Sequence, residues 1–261
     1  MSRIDTTVTN EAVIPVIEAQ IFNASPEHQF AIGMLATGYE LVDDRGGIFT
    51  GYLRLRANVY ASQTNMIPGN EVRPDGTEKD ADDSRSTHWA ILERAREQEQ
   101  ELGFQGLARV VASIRTIEKT ATDQRPLPIE VFFPEAFTAP LPLGAVEVSR
   151  YICRHENPII QSRLSAPLFS AVVGHIQSKG FSPTFGVVEE KVEQRLERYG
   201  VPMQRIALPK FVPEYAADNL GFSVDIQAMA EFMGLDNPEA LAKIRSEQRK
   251  WSYFNIEAPS L

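Results

Sequence analysis

Cysteine is almost missing from this chain: Cys153 is the one thiol among 261 residues. That excludes an intrachain disulfide and leaves no thiolate set for a structural zinc cluster, so no bound metal is expected. Basic charge is also short. Lys and Arg number 26 against 35 Asp and Glu, for a net charge of -9. A surface of that sign does not neutralise phosphates, which excludes general nucleic-acid binding while leaving room for a local basic patch. No apolar run approaches the roughly 18–20 residues that span a bilayer. The first thirty residues carry Asp5, Glu11, Glu18 and Glu27 and lack the basic start and apolar block of a secretory signal. A cytoplasmic protein is therefore expected. Internal repeats and long low-complexity tracts are absent too. What remains is ordinary globular usage, 43% apolar and 23% charged, enough to bury a sizeable core.

Residues 1–28 read as a polar N-terminal extension, 29–230 as the main domain and 231–261 as a helical tail. Phe30–Leu35 suits a strand or a short helix, and residues 51–61 suit a helix. A Pro-, Gly- and Asp-rich loop follows over 68–87. The best strand candidates are 88–92, 107–117 and 145–153; the charged stretch 93–101 reads as a solvated face. Ile159, Ile160, Leu164, Leu168, Val172 and Ile176 recur at helical steps up to Gly180. A strand at 184–187 precedes a second amphipathic helix through Val188, Val192, Leu196 and Tyr199, stopped by Gly200. Asp236-Asn237-Pro238 opens a last helix to about Trp251. Strands with helices crossing between them indicate an α/β fold on a mixed sheet.

Four charged groups stand in order. Arg56 lies one helical turn from Tyr60; Glu78, Asp80 and Asp83 share a loop; Arg109 sits inside an apolar strand; Glu147-Val148-Ser149-Arg150 sits inside another. Along a strand Glu147 and Ser149 share one face and Arg150 takes the other, unless a bulge intervenes. Charges within apolar strands are costly unless paired or facing a polar cleft. Two readings stay open: a structural ion pair joining Glu147 to Arg109, or a ligand-binding cleft. Cys153 has no histidine at a recognisable spacing and reads as a small buried residue. His155 falls in the loop after its strand, and Trp89 reads as core.

Together these segments resemble the acyl-homoserine-lactone synthases, the autoinducer synthases of bacterial quorum sensing. The family pattern is Arg-x-x-x-Phe, Glu-x-Asp-x-x-Asp, an arginine in a strand, and Glu-x-Ser-Arg-Phe. Here it is carried by Arg56 and Tyr60, by Glu78, Asp80 and Asp83, by Arg109, and by Glu147, Ser149 and Arg150. The stretch Leu127–Pro134, which includes Phe133, is similar as well, and the resemblance covers roughly residues 50–225. Tyr60 replaces the usual phenylalanine, and Met66 stands where the family has tryptophan.

The resemblance implies a GNAT-like three-layer fold whose central strands splay, with an acyl thioester entering from one side and S-adenosylmethionine from the other. It implies an N-acyltransferase that needs no cofactor beyond its substrates. The acyl donor would be acyl carrier protein or acyl-coenzyme A. It implies that Glu147, Arg150, Arg109 and Asp80 do the chemistry, and that Arg56, Tyr60, Met66, Glu78, Asp83, Ser149 and Phe133 line the substrate. Met66 keeps a second enzyme in view, an N-acyl amino acid synthase that forms no lactone. A non-catalytic acyl-carrier-binding protein is the alternative from another class.

Overall fold

A computed structural model describes residues 16–18, 27–38, 40–41, 47–63, 72–94, 107–198, 200–235 and 251–256. Alternating and continuous apolar runs form strands β1 (Val16–Glu18), β2 (Phe30–Thr37), β3 (Glu40–Leu41), β4 (Ser86–Arg94), β5 (Leu107–Glu118) and β6 (Val146–Cys153). They continue as β7 (Thr184–Val188), β8 (Met203–Arg205), β9 (Lys210–Val212), β10 (Ala217–Val224) and β11 (Ser252–Phe254). The helices are α1 (Ile48–Ala57), α2 (Pro128–Phe132), α3 (Pro158–Arg163), α4 (Ser165–Lys179), α5 (Glu190–Arg198) and α6 (Ile226–Phe232). None of the described helices is long and apolar enough to cross a membrane.

The strands form one sheet in the order β11-β2-β4-β5-β6-β7-β10-β8, with β1, β3 and β9 pairing β5, β2 and β10. Among the described strands every pairing is antiparallel except β6 with β7. That one parallel contact is supplied by the α3–α4 crossover. Asn157 caps α3 by accepting from the Ile159 and Ile160 amides, with Pro158 in the first turn. Gly180, at φ 66°, closes α4 in the left-handed conformation. The single helix expected over 159–176 is thus two, broken at Leu164. The helix expected from residue 238 lies outside the described residues. β1 and β11, from either end of the chain, are hydrogen-bonded to β5 and β2.

Two bulges set which face each side chain takes. On β5, Ala112 and Val110 face consecutive residues of β4, Ile91 and Leu92, so Val111 is the extra residue. Before it, Ala108 and Val110 pack with Ile48, Tyr52 and Leu55 of α1; after it, Ala112 and Ile114 pack with Leu168, Val172 and Ile176 of α4. The even positions change sides there. On β6, Ser149 and Ile152 face Arg115 and Ser113, so Arg150 and Tyr151 span one extra position. Arg150 takes φ 53°, a strained conformation for a residue with a Cβ, of the kind that persists where the surroundings impose it.

Strands β6 and β7 stay paired only over Val146–Val148 and Thr184–Gly186. Beyond that point they part, as the resemblance implies, and the gap between them connects the α1/α2 side of the sheet with the α4 side.

Candidate active site

The gap opens into a cavity of about 320 Å³, lined on its apolar side by Val172, Val173, Ile176, Phe169, Phe222 and Met229. Arg150, Ser149, Tyr60 and Tyr215 form its polar end.

Beside that end, three arginines interlock with three carboxylates. Tyr52 and Leu55 anchor α1 in the core, which holds Arg56 fully buried. Arg56 donates to Glu78, to Asp83 Oδ1 at 2.6 Å and to the Tyr52 hydroxyl at 3.2 Å. Arg115 donates through Nη1 to Asp80 and Asp83, and through Nη2 to Asp80 again, each at 2.7 Å. Its Nε reaches Ser149 Oγ at 3.3 Å. Arg150 Nη2 joins Glu78 Oε1 at 3.1 Å and Asp80 Oδ2 at 2.9 Å.

The loop is built to present these acids. Gly76 turns at φ 77°, Val72 bridges Glu78, and the amides of Asp82 and Asp83 donate to Asp80 Oδ1. Arg85 ties the loop to the Arg125 and Pro126 carbonyls.

Glu78 and Asp83 side chains are fully buried, whereas Asp80 is 22% exposed. The first two therefore hold the arginines, and Asp80 is the acid open to a ligand. Burial alone would raise Asp80, but Arg115, Arg150 and Arg56 outweigh it and hold the carboxyl far below its usual range. Burial likewise opposes ionisation of Asp83, and Arg56 and Arg115 reverse it, to about 2. All three acids and all three arginines are hydrogen-bonded to one another, which is what a buried ionic network requires. His88 closes the inner side: its Nδ1 meets the Tyr52 hydroxyl at 3.0 Å and its Nε2 the Asp83 carbonyl at 3.2 Å. Burial lowers it to about 4, so the imidazole is neutral at pH 7.

Downstream of Ala57 the helix widens to a π turn over Asn58–Gln63, a form that recurs at functional sites. It sets the Tyr60 hydroxyl on the Tyr151 carbonyl at 3.0 Å. The Arg150 guanidinium lies 5.3 Å from the Tyr60 ring and 5.8 Å from the Tyr215 ring, held between two π faces. The β6 bulge makes this possible, because it returns Arg150 to the face that Ser149 already occupies.

Glu147 shares that face two residues earlier. It is 1% exposed, and its Oε2 accepts from the Ile129 amide at 2.8 Å. Burial, only partly offset by that hydrogen bond, pushes it up to about 8. A carboxyl poised near neutrality beside an ionic cluster is suited to proton transfer.

Two expected site residues lie elsewhere. Arg109 is not in the cluster; it pairs with Glu156 at 3.2 Å, because the bulge at Val111 sends it to the opposite face from Arg115. The proposed Glu147–Arg109 ion pair is likewise absent. Phe133 is fully buried with Ile117, Leu127 and Ile129, beneath the Lys210 ammonium; neither it nor Glu147 is on the cavity wall, but Phe133 lacks a polar group to reach the site. Met66 lies outside the described residues. Trp89 is core. Cys153 does line the cavity, but burial raises its thiol, which makes it a poor nucleophile. The sequence reading missed Arg115, Tyr52, His88, Tyr215 and Asn219.

No protein-family model and no curated protein sequence matches the chain. Solved structures do. The coenzyme A-dependent acyl-homoserine lactone synthase BjaI with MTA superposes with a TM-score of 0.55 at 17% identity, covering 84% of this chain and 99% of that one. TofI, in a ternary complex with an inhibitor and MTA, gives 0.52 at 18% identity over 72% and 90%. BjaI with SAM and isopentyl-CoA gives 0.50 at 18% identity over 75% and 90%. The chain shares their fold.

Proposed function

We propose that this chain is an acyl-homoserine-lactone synthase, which acylates the α-amine of S-adenosylmethionine and then closes the lactone. The observation that carries the reading is the closed set of Arg56, Arg115 and Arg150 with Glu78, Asp80 and Asp83, placed where parted strands lead into an apolar cavity.

The two sides of the sheet suit the two substrates. S-adenosylmethionine carries a sulfonium, an amine and a carboxylate. Asp80, the open acid, suits the cationic groups, and the Arg150 fork, whose Nε has no partner, suits the carboxylate. The acyl chain fits the apolar end under α4. Arg154, Lys191 and Arg195 line the cavity together with Glu189, which pairs with Lys191, so Arg154 and Arg195 carry a local positive charge in an acidic protein. It matches the phosphates of coenzyme A or of a carrier-protein pantetheine arm.

In the first step Glu147 takes a proton from the ammonium, directly or through one water, and the amine attacks the thioester carbonyl. A C–N bond forms, the C–S bond breaks, and the thiol leaves with a proton. Beyond Val148 the backbone amides of β6 that face the gap have lost their β7 partners and serve the oxyanion. In the second step the carboxylate oxygen displaces methylthioadenosine from the γ-carbon. That sulfide leaves readily because its sulfur is already positive, so holding the carboxylate in line is the main requirement.

The test is incubation of the full chain with S-adenosylmethionine, free amino acids, and acyl thioesters of graded length on coenzyme A and on acyl carrier protein, read by mass spectrometry. Acyl lactone with methylthioadenosine is expected. Acyl amino acid without methylthioadenosine would instead establish the N-acyl amino acid synthase, and no product with any donor would leave a binding protein. Within an active enzyme, Val172 is 2% exposed on α4 and lines the cavity. Val172→Phe fills part of it, so preference should move to shorter acyl chains; an unchanged chain-length profile would place the acyl group elsewhere.

A further inference from the structure

Asn219, on β10, lies outside every motif that marks the site. It is 1% exposed and stands on the cavity wall. Its Nδ2 donates to the Ala217 carbonyl at 3.0 Å, which fixes the amide so that Oδ1 is the free end. That Oδ1 is buried with no hydrogen-bond partner. Its side of the sheet follows from two neighbours. Gly221, two residues on, has its missing Cβ position against Ile129 and Phe133. Lys210, directly across in β9, lies over the Phe133 ring. Asn219 therefore faces the side that holds Glu147 and the arginine–carboxylate cluster, not the acyl side.

We propose that Asn219 positions the nucleophile, accepting an N–H of the substrate's α-amine through Oδ1. The inference rests on the synthase reading and extends it to a strand that reading does not use. An amide oxygen can only accept, so it suits neither a thioester carbonyl nor its oxyanion. An amine suits it throughout. After one proton passes to the base, two N–H groups remain. Anchoring one of them turns the lone pair toward the carbonyl. A neutral acceptor also leaves the proton on offer to the base, where a carboxylate at this position would compete for it. A buried acceptor left open costs stability in the free protein, the pattern expected of a group kept for a ligand.

The experiment compares wild type, Asn219→Leu and Asn219→Asp, using S-adenosylmethionine and the acyl-coenzyme A that wild type turns over fastest. In Asn219→Leu, kcat/KM for S-adenosylmethionine should fall about 10- to 100-fold, the range for losing a hydrogen bond to a charged group. KM for the acyl-coenzyme A should stay unchanged. Affinity for methylthioadenosine, which has no α-amine, should also stay unchanged, and Tm should hold or rise. Asn219→Asp keeps an acceptor at the same place and should recover most of the S-adenosylmethionine affinity. Wild-type kcat/KM in Asn219→Leu would overturn the proposal. So would parallel losses for both substrates with a lowered Tm, which is the signature of a structural role. A wild type that releases no methylthioadenosine fails the synthase reading itself, and this inference with it.

Discussion

Replacing Arg115 by methionine should cost about 3–5 kcal/mol of stability, the usual result of breaking a buried ion pair from one side, and should abolish turnover. The guanidinium makes three hydrogen bonds to Asp80 and Asp83. Without it two carboxylates crowd against Arg56 and Arg150 alone, and the more buried of them, Asp83, has no route to water. Arg109→Met should cost less, about 1 kcal/mol, because Glu156, which it hydrogen-bonds, is largely exposed and such pairs are weak, while the charge interaction with Glu93 is a minor one. Urea denaturation at neutral pH reads both. If Arg109→Met is the damaging change and Arg115→Met the mild one, the assignment of the cluster is wrong.

That contrast also marks where sequence stops informing. Arg109 and Arg115 are both arginines in one apolar strand, six residues apart, and an unbroken strand would put them on the same face. Nothing in the residues around Val111 announces a bulge, since Val110-Val111-Ala112 is apolar throughout. The reversal is visible only in the pairing with β4. The β6 bulge stands in the sequence only as the general exception to strand alternation, which puts Arg150 opposite Glu147 and Ser149, and no residue there marks it. The acidic loop, Arg56 and the strands at 88–92, 107–117 and 145–153 were legible for a simple reason: each breaks or sustains a periodicity strongly. Tyr215 and Asn219 were not, because a tyrosine after Pro213-Glu214 and an asparagine opening a strand look like ordinary loop and edge chemistry. They enter the site through the long return of β10 across the sheet, a contact between residues some seventy positions from the last motif. Phe133 shows the converse error. It lies within a stretch that resembles the family's, but its ring packs inward with Ile117, Leu127 and Ile129.

Glu147→Gln should lower kcat by about 10²- to 10⁴-fold, the contribution of a positioned acid–base group, and should remove a pH dependence at the same time. Burial raises this carboxyl from 4.5 to about 8, so the folded chain holds a proton that the unfolded chain has released. Wild-type stability from this group is therefore complete below about pH 4.5 and lost as pH rises toward 8. The ionised form that acts as base appears at the upper end of that interval, near pH 8, where the loss of stability levels off. The Gln variant carries neither term: its stability should fall less between pH 5 and 8, and its residual rate should lack the rising limb. A rate profile alone is ambiguous, because a free α-amine titrates near 8 as well. Stability measured without substrate contains no such amine. If wild type and Glu147→Gln lose stability in parallel from pH 5 to 8, Glu147 is not the group that titrates, and the proton must leave the substrate by another route.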